Sequence, residues 1–277
     1  MTDDKIAFIG GGNMTQAIVA GLVSSGFRPA DILIAEPSAK QREVLTHTWP
    51  DAEITSENNR IAVRVNCIVL AVKPQVLAAV CRDLANTVQR TRPLVISIAA
   101  GIRSADIDAW LGGGLAIVRA MPNQPALLQL GVTGSFANER VSTAQKQQAS
   151  KILGAVGKVV NVPHEADIDA VTAISGSGPA YFYLLIDMLT DTAQQLGLDE
   201  QVARILAIET ATGATALAAQ SADSMAELIA RVRSPGGTTA AALDSLDQQN
   251  VRDIFARALT AARDRATELA NNAHAQE

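Results

Sequence analysis

The chain has 277 residues, a length that suits two domains more readily than one. Hydrophobic residues make up 48% and charged residues 18%, with a mean hydropathy of +0.16, which excludes a disordered or polyelectrolyte chain. A net charge of −5 and a pI near 5.3 argue against nucleic acid as a partner, because neutralising phosphates requires clustered Lys and Arg.

The acidic start Met1-Thr2-Asp3-Asp4-Lys5 lacks the basic region and cleavage site of a signal peptide. No uninterrupted apolar run approaches the roughly 20 residues of a membrane span. A cytoplasmic protein with no membrane partner is therefore expected. Cys67 and Cys81 have neither CxxC spacing nor the look of a disulfide framework and read as small buried hydrophobes. His47, His164 and His274 are scattered, so no metal site is expected.

In chain order, short apolar runs alternate with helical patterns through the first half, the signature of βαβ units and a parallel sheet. Strands are predicted at residues 5–10, 32–35, 67–72, 94–98, 116–119, 131–136 and 158–162. Most are rich in Val and Ile without polar alternation, as strands buried on both faces require. Ser38 with Gln41, and Ser142 with Gln145, fit capping boxes at two helix starts. Beyond Val162 the strand signal stops, and helices are predicted at 179–196, 199–220, 224–232, 239–248 and 250–273, with residues 271–277 frayed. Asp199 and Ser224 are the expected N-caps of two of them. The break falls near Pro163. It divides a Rossmann-like, doubly wound α/β half, residues 1–163, from an all-α half, residues 164–277, whose Ala, Leu and Ile cover more than one helix face and suggest a second subunit.

Gly10-Gly11-Gly12-Asn13-Met14 joins the first strand to the first helix. A pyrophosphate must approach the backbone there and face the free N–H groups of the helix start, which favours Gly at 10 and 12. The third glycine of the usual fingerprint is replaced by Thr15. Glu36 ends the next strand, where a carboxylate can accept from the adenosine ribose. It would repel a 2′-phosphate, which favours NADH, while Lys40 and Arg42 stand near enough in sequence to serve NADPH. Ala71-Val72-Lys73-Pro74 and Ile98-Ala99-Ala100-Gly101 are further strand ends whose small residues can leave room for a nicotinamide ring, and Lys73 either meets the cofactor or faces water. Arg119-Ala120-Met121-Pro122-Asn123 likewise either borders the ligand or is only a rigid turn after a strand. In the helical half, residues 175–179 and 233–239 each lead into a helix and can offer amides to an anion, or can be plain caps and turns.

These motifs together resemble pyrroline-5-carboxylate reductase. The resemblance runs through Ile6 to Met14, AVKPQ from Ala71, SIAAG from Ser97, MPN from Met121, DAVTAISGSGPAY from Asp169 and SPGGTTAAAL from Ser234. It implies a Rossmann domain followed by a helical dimerisation domain, with homodimers assembled into a larger oligomer such as a decamer. It also implies hydride transfer from NADPH or NADH to the C=N carbon of 1-pyrroline-5-carboxylate, giving L-proline. Carried over residue by residue, Ile9, Gly10, Gly11, Gly12, Asn13, Met14, Glu36, Asn58, Ala71, Val72, Lys73, Pro74, Ala99 and Ala100 would contact the cofactor. Glu165, Ser175, Ser177, Ser234, Gly236, Gly237, Thr238 and Thr239 would form the substrate side, with the Thr239 hydroxyl beside the ring nitrogen as the catalytic group. Arg233 stands where the family usually has a small residue. Two other readings are a β-hydroxyacid dehydrogenase, for which the helical half offers no catalytic lysine, and a non-catalytic nicotinamide sensor, which would have no use for Thr239.

Overall fold

A computed structural model describes residues 5–274. Its first half alternates β1 (Ile6–Ile9), α1 (Asn13–Ser24), β2 (Ile32–Ala35), α2 (Ala39–Thr48), β3 (Glu53–Thr55), α3 (Asn58–Ala62), β4 (Cys67–Leu70) and α4 (Pro74–Thr91). It continues through β5 (Leu94–Ser97), α5 (Ser104–Trp110), β6 (Ile117–Met121), β7 (Gly131–Ala137), α6 (Thr143–Gly154) and β8 (Gly157–Asn161). The eight strands form one sheet in the order β3-β2-β1-β4-β5-β6-β7-β8. Adjacent side chains of a strand point to opposite faces. Ile6 and Phe8 therefore enter a core with Ile18 and Leu22 of α1 and Ile152 of α6, while Ala7 and Ile9 enter another with Leu77, Leu84 and Val88 of α4. Burial on both faces is what the unbroken apolar strands require, and each fully buried Ile, Leu or Phe contributes about 1.5–3 kcal/mol.

Two strands depart from expectation. β3, residues Glu53–Thr55, was not predicted, because one isoleucine between polar neighbours on an edge shows no apolar run. β7 runs antiparallel to β6, while β7 and β8 are parallel. The β6–β7 link carries only a short 3-10 turn, Gln124–Leu128, and antiparallel neighbours can be joined by so little chain, whereas the parallel pair needs the α6 crossover. Ser142 and Gln145 form the expected capping box at α6. At α2 only half of one forms: Ser38 Oγ accepts from the Gln41 N–H, but the Gln41 side chain donates instead to the carbonyl of Gly11.

The helical half comprises α7 (Asp167–Val171), a wide π turn (Thr172–Gly176), α8 (Gly178–Gln195), α9 (Glu200–Gln220), α10 (Met225–Val232), α11 (Thr238–Gln248) and α12 (Val251–His274). Asp199 caps α9, and Ser224 with Glu227 forms a capping box at α10. The sequence puts fraying at 271–277. α12 stays helical to His274, and residues 275–277, like the acidic start at 1–4, lie outside the described residues.

By contact the chain divides into two compact units, one running to Ser177 and resuming at Ala262, the other Gly178–Ala261. The sequence break near Pro163 thus precedes the contact break, because α7 and the π turn pack with the sheet: a Cβ on Gly134 of β7 would strike the Val171 side chain. The last part of α12 belongs to the first unit, where Ala266 and Ala270 are buried and Thr267 Oγ1 donates to Asp169 at 3.1 Å. In the second unit α8 and α9 pack together but leave Phe182, Leu184, Met188, Val202, Ile205 and Leu206 exposed. By length and composition alone, α9 also meets the measure of a membrane-crossing helix. Its Val, Ile, Leu and Ala are interrupted by Arg204, Glu209 and three threonines, so the sequence shows no unbroken apolar run there.

Candidate active site

The strand order reverses direction between β1 and β4, and ligands of open α/β sheets collect at such a point beyond the carboxyl ends of the strands. The loop after β1 and the loop after β4 meet there. Gly10 has φ +103°, its N–H donates to Ala35 O at 2.8 Å, and a Cβ on it would lie 2.7 Å from the carbonyl oxygen of Ala71. Only glycine fits that conformation and that approach. Gly12 differs: a Cβ there would meet nothing within 4 Å, so the open space above it is available to a ligand. Gly12 is also the N-cap of α1 and offers no side-chain hydrogen bond to the first-turn amides. Those free N–H groups at Asn13 and Met14, with the positive end of the helix dipole, fit a pyrophosphate. Thr15, in the place of the third glycine, is fully buried and donates its hydroxyl to Gly10 O at 2.7 Å, locking the loop.

Glu36 stands beside this loop. Its Oε2 accepts from the Gly11 N–H and its Oε1 from the Ser38 N–H, both at 2.9 Å. Arg42 Nη1 donates to Glu36 O at 2.9 Å and Pro37 O at 2.7 Å. Across the switch point, Ala71 and Val72 are half-buried, Lys73 is the exposed N-cap of α4, and Pro74 opens that helix. Ala99 is buried and Ala100 exposed beyond β5, and Asn58 is the half-buried first residue of α3. The loop, Glu36 and the residues 71–74 thus gather around the ends of β1, β2 and β4, the arrangement a dinucleotide requires.

A second cluster was missed by sequence reasoning. Arg119, on β6, is 2% exposed and reaches Glu165 Oε1 at 3.4 Å and Asp169 Oδ1 at 3.3 Å. Arg103 reaches the other Asp169 oxygen at 2.9 Å. Burial pulls the Arg119 guanidinium down from its usual value, with Glu165 and Asp169 opposing that shift and Arg103 adding to it. Glu165 also accepts from the N–H and the hydroxyl of Ser104 at 2.6 and 2.7 Å, capping α5 from outside the helix. The available signal was an arginine inside the otherwise apolar run Ile117–Met121. Ser175 and Ser177 lie on the π turn and just after it. Ser175 Oγ donates to Val171 O, and Asn123 links Ser175 O at 3.1 Å to the Val132 N–H at 2.9 Å. The stretch read as a rigid turn thereby fastens the serine segment, and π turns recur at functional sites.

In the second unit, Ser234-Pro235-Gly236-Gly237 runs from α10 into α11. Gly236 has φ +72°, a left-handed turn, and a Cβ on Gly237 would strike Ser234 Oγ. Gly237 is the N-cap of α11 without a side-chain cap, so the amides at Thr238 and Thr239 face outward at a helix start, as a carboxylate cradle needs. Thr238 is exposed and Thr239 half-buried on that first turn. Arg233 closes α10, and its guanidinium reaches Asp244 of α11 at 2.5 Å, so this departure from the family pattern braces the two ends of the loop.

Comparison with known proteins agrees with both halves. Residues 165–269 match the model for pyrroline-5-carboxylate reductase dimerisation, and residues 5–101 match that for NADP oxidoreductase, coenzyme F420-dependent. A pyrroline-5-carboxylate reductase of Pseudomonas aeruginosa is 43% identical over 270 residues, covering 98% of each chain. Among solved structures, a pyrroline-5-carboxylate reductase from Coxiella burnetii superposes with a TM-score of 0.93 at 41% identity, covering 97% of this chain and 99% of that one. A Plasmodium falciparum pyrroline carboxylate reductase with NADP bound superposes at 0.85 with 28% identity, covering 98% and 99%.

Proposed function

We propose, from the premise that this chain belongs to the pyrroline-5-carboxylate reductase family, which of its residues carry the family's reaction. The chain is an NAD(P)H-dependent oxidoreductase that reduces 1-pyrroline-5-carboxylate to L-proline. When bound, the reduced nicotinamide supplies a hydride to the imine carbon, and the ring nitrogen takes up a proton.

Everything else falls to the chain. Gly10 to Met14 hold the pyrophosphate on the α1 amides, Glu36 takes the adenosine ribose, and Ile9, Asn58, residues 71–74, Ala99 and Ala100 bound the rest of the dinucleotide. The loop of Ser234, Gly236, Gly237 and Thr238 holds the substrate carboxylate on main-chain donors. Thr239 donates its hydroxyl to the ring nitrogen, polarising and orienting the imine, while water delivers the proton. Ser175 and Ser177 form a wall of the site. Glu165 is a positioning residue, since Ser104 and Arg119 already engage its carboxylate. In functional terms residues 1–163 are the cofactor half and residues 164–277 the substrate and dimerisation half, with α7 and the π turn carried on the first compact unit.

The observation that carries this reading is that two helix starts are open and uncapped, at Gly12 in the first unit and at Gly237 in the second, each suited to an anion. The exposed apolar faces of α8 and α9, within the segment matched to the dimerisation model, support a homodimer; that it assembles further, as in a decamer, and works in the cytoplasm belongs to the same proposal. Oxidation of NADH and NADPH with and without DL-pyrroline-5-carboxylate tests the reaction: turnover giving L-proline is expected, and folded protein that binds nucleotide but fails to turn over would point to another imine or carbonyl. Light scattering tests the assembly, where a monomer at micromolar concentration would refute it.

A further inference from the structure

We propose that Glu36 makes this chain select NADH over NADPH. The inference rests on the assignment of residues 10–14 to the dinucleotide and goes beyond it, since an NADP-bound relative and an NADP-named family model point to the other cofactor.

A carboxylate at the end of β2 discriminates against a 2′-phosphate only if it stays in place, because a mobile glutamate can rotate into solvent. Here it is fixed. The Gly11 and Ser38 N–H groups each hold one of its oxygens at 2.9 Å, and charge-assisted bonds of this kind are the stronger ones. The packing leaves no slack either: a Cβ on Gly11 would lie 2.5 Å from Leu45 Cδ1 and 3.2 Å from Glu36 Cβ, so loop and side chain are in close contact. Each carboxylate oxygen still has a lone pair for a ribose hydroxyl. A 2′-phosphate brought to the same place would face a negative charge that cannot withdraw.

The neighbouring cations do not offset this. Arg42 is half-buried and its Nη1 is committed to two backbone carbonyls. Lys40 stands exposed in the first turn of α2, where a hydrated ammonium contributes little. Gln41 is engaged with Gly11 O at 2.9 Å. Ser38, Gln41 and the Arg42 Nη1 group thus brace the segment that presents Glu36.

The test is titration of the full chain, without substrate, with NADH, NADPH, NAD+ and NADP+, followed by calorimetry and nucleotide fluorescence. NADH is expected to bind about tenfold or more tightly than NADPH. NADPH binding as tightly as NADH, or more so, overturns the proposal. Binding of neither overturns the dinucleotide assignment itself and this inference with it, a result distinct from a reversed ratio. In Glu36→Gln, checked for folding by its thermal midpoint, the ratio is expected to fall toward one; an unchanged ratio overturns the role of Glu36. Arg42→Ala is expected to leave the ratio in place. If it removed NADPH affinity alone, Arg42 would be a phosphate partner and the proposal would fail.

Discussion

Replacing Arg119 by Met is expected to destabilise the first unit by about 3 kcal/mol. Removing one partner of a buried ion pair costs roughly 3–5 kcal/mol, because the other charge is left in low dielectric without compensation. Arg119 is 2% exposed and Asp169 4%, so both lie in that regime. The survivors are not bare, however. Asp169 keeps Arg103 at 2.9 Å and Thr267 at 3.1 Å, and Glu165 keeps both Ser104 donors. The pairs lost are also long, at 3.3 and 3.4 Å, which places the cost at the low end of the range. At about 2–4 °C per kcal/mol for a unit of this size, the unfolding midpoint should fall by about 6–12 °C. Thermal unfolding at one fixed protein concentration reads it, since a subunit equilibrium would otherwise move the midpoint as well. Adding Asp169→Asn to Arg119→Met should recover part of the loss through a coupling energy of about 0.5–3 kcal/mol. A single-variant midpoint within about 2 °C of the parent would show that the cluster contributes no net stability.

Thr239→Ala should lower kcat by about a hundredfold with a smaller change in KM; a loss confined to KM would refute the polarising role. Gly12→Ala should cost less than about 1 kcal/mol of stability, since its methyl meets nothing within 4 Å, yet weaken dinucleotide binding at least about tenfold in a direct titration. Arg233→Ser should leave the unfolding midpoint almost unchanged, the Asp244 pair being exposed, while raising KM for substrate as the loop loses its brace. Burial pushes the Cys81 thiol up to about 12, with Arg82 opposing, and raises Cys67 as well. Above about pH 8.5 the unfolded thiols release protons that the folded ones keep, so stability falls by about 1.4 kcal/mol per pH unit and thiol as pH rises. Denaturant midpoints between about pH 8 and 10 should show a shallower slope for Cys67→Ala with Cys81→Ala; identical slopes would refute the assignment.

Much of this was legible in the residues because it depends on local pattern. Apolar runs such as Ile6-Ala7-Phe8-Ile9 mark strands covered on both faces, and Ser142 with Gln145 or Ser224 with Glu227 mark helix starts whose caps form as expected. The elements that escaped notice depend on distant partners. β3 is stabilised by an edge pairing with β2, and β7 takes its direction from the short link to β6. Gln41 leaves its own helix start for Gly11 O because the loop carbonyl is brought within reach only by the fold. Arg119 could be flagged as odd in its strand, but its partners at Glu165 and Asp169 lie far along the chain. At the candidate site, the glycines and Glu36 were readable from spacing. The two amides that pin Glu36, and the brace between Arg233 and Asp244, were not.

The return of α12 to the first unit sets an order of events during synthesis. A ribosome delivers the chain up to Ser177 first, and a nascent domain usually folds as its own residues emerge. Part of this one has to wait. Ala266 and Ala270, buried in it, and Thr267, which donates to Asp169, are made only after the whole of residues 178–261. The helical unit, though second in the chain, has all its residues synthesised before the last segment of the dinucleotide unit exists. Until then the Arg119 cluster lacks one of its donors and Gly101 lacks the Leu269 side chain that packs beside it, so a nascent chain stalled before residue 262 holds its sheet with this cluster unfinished.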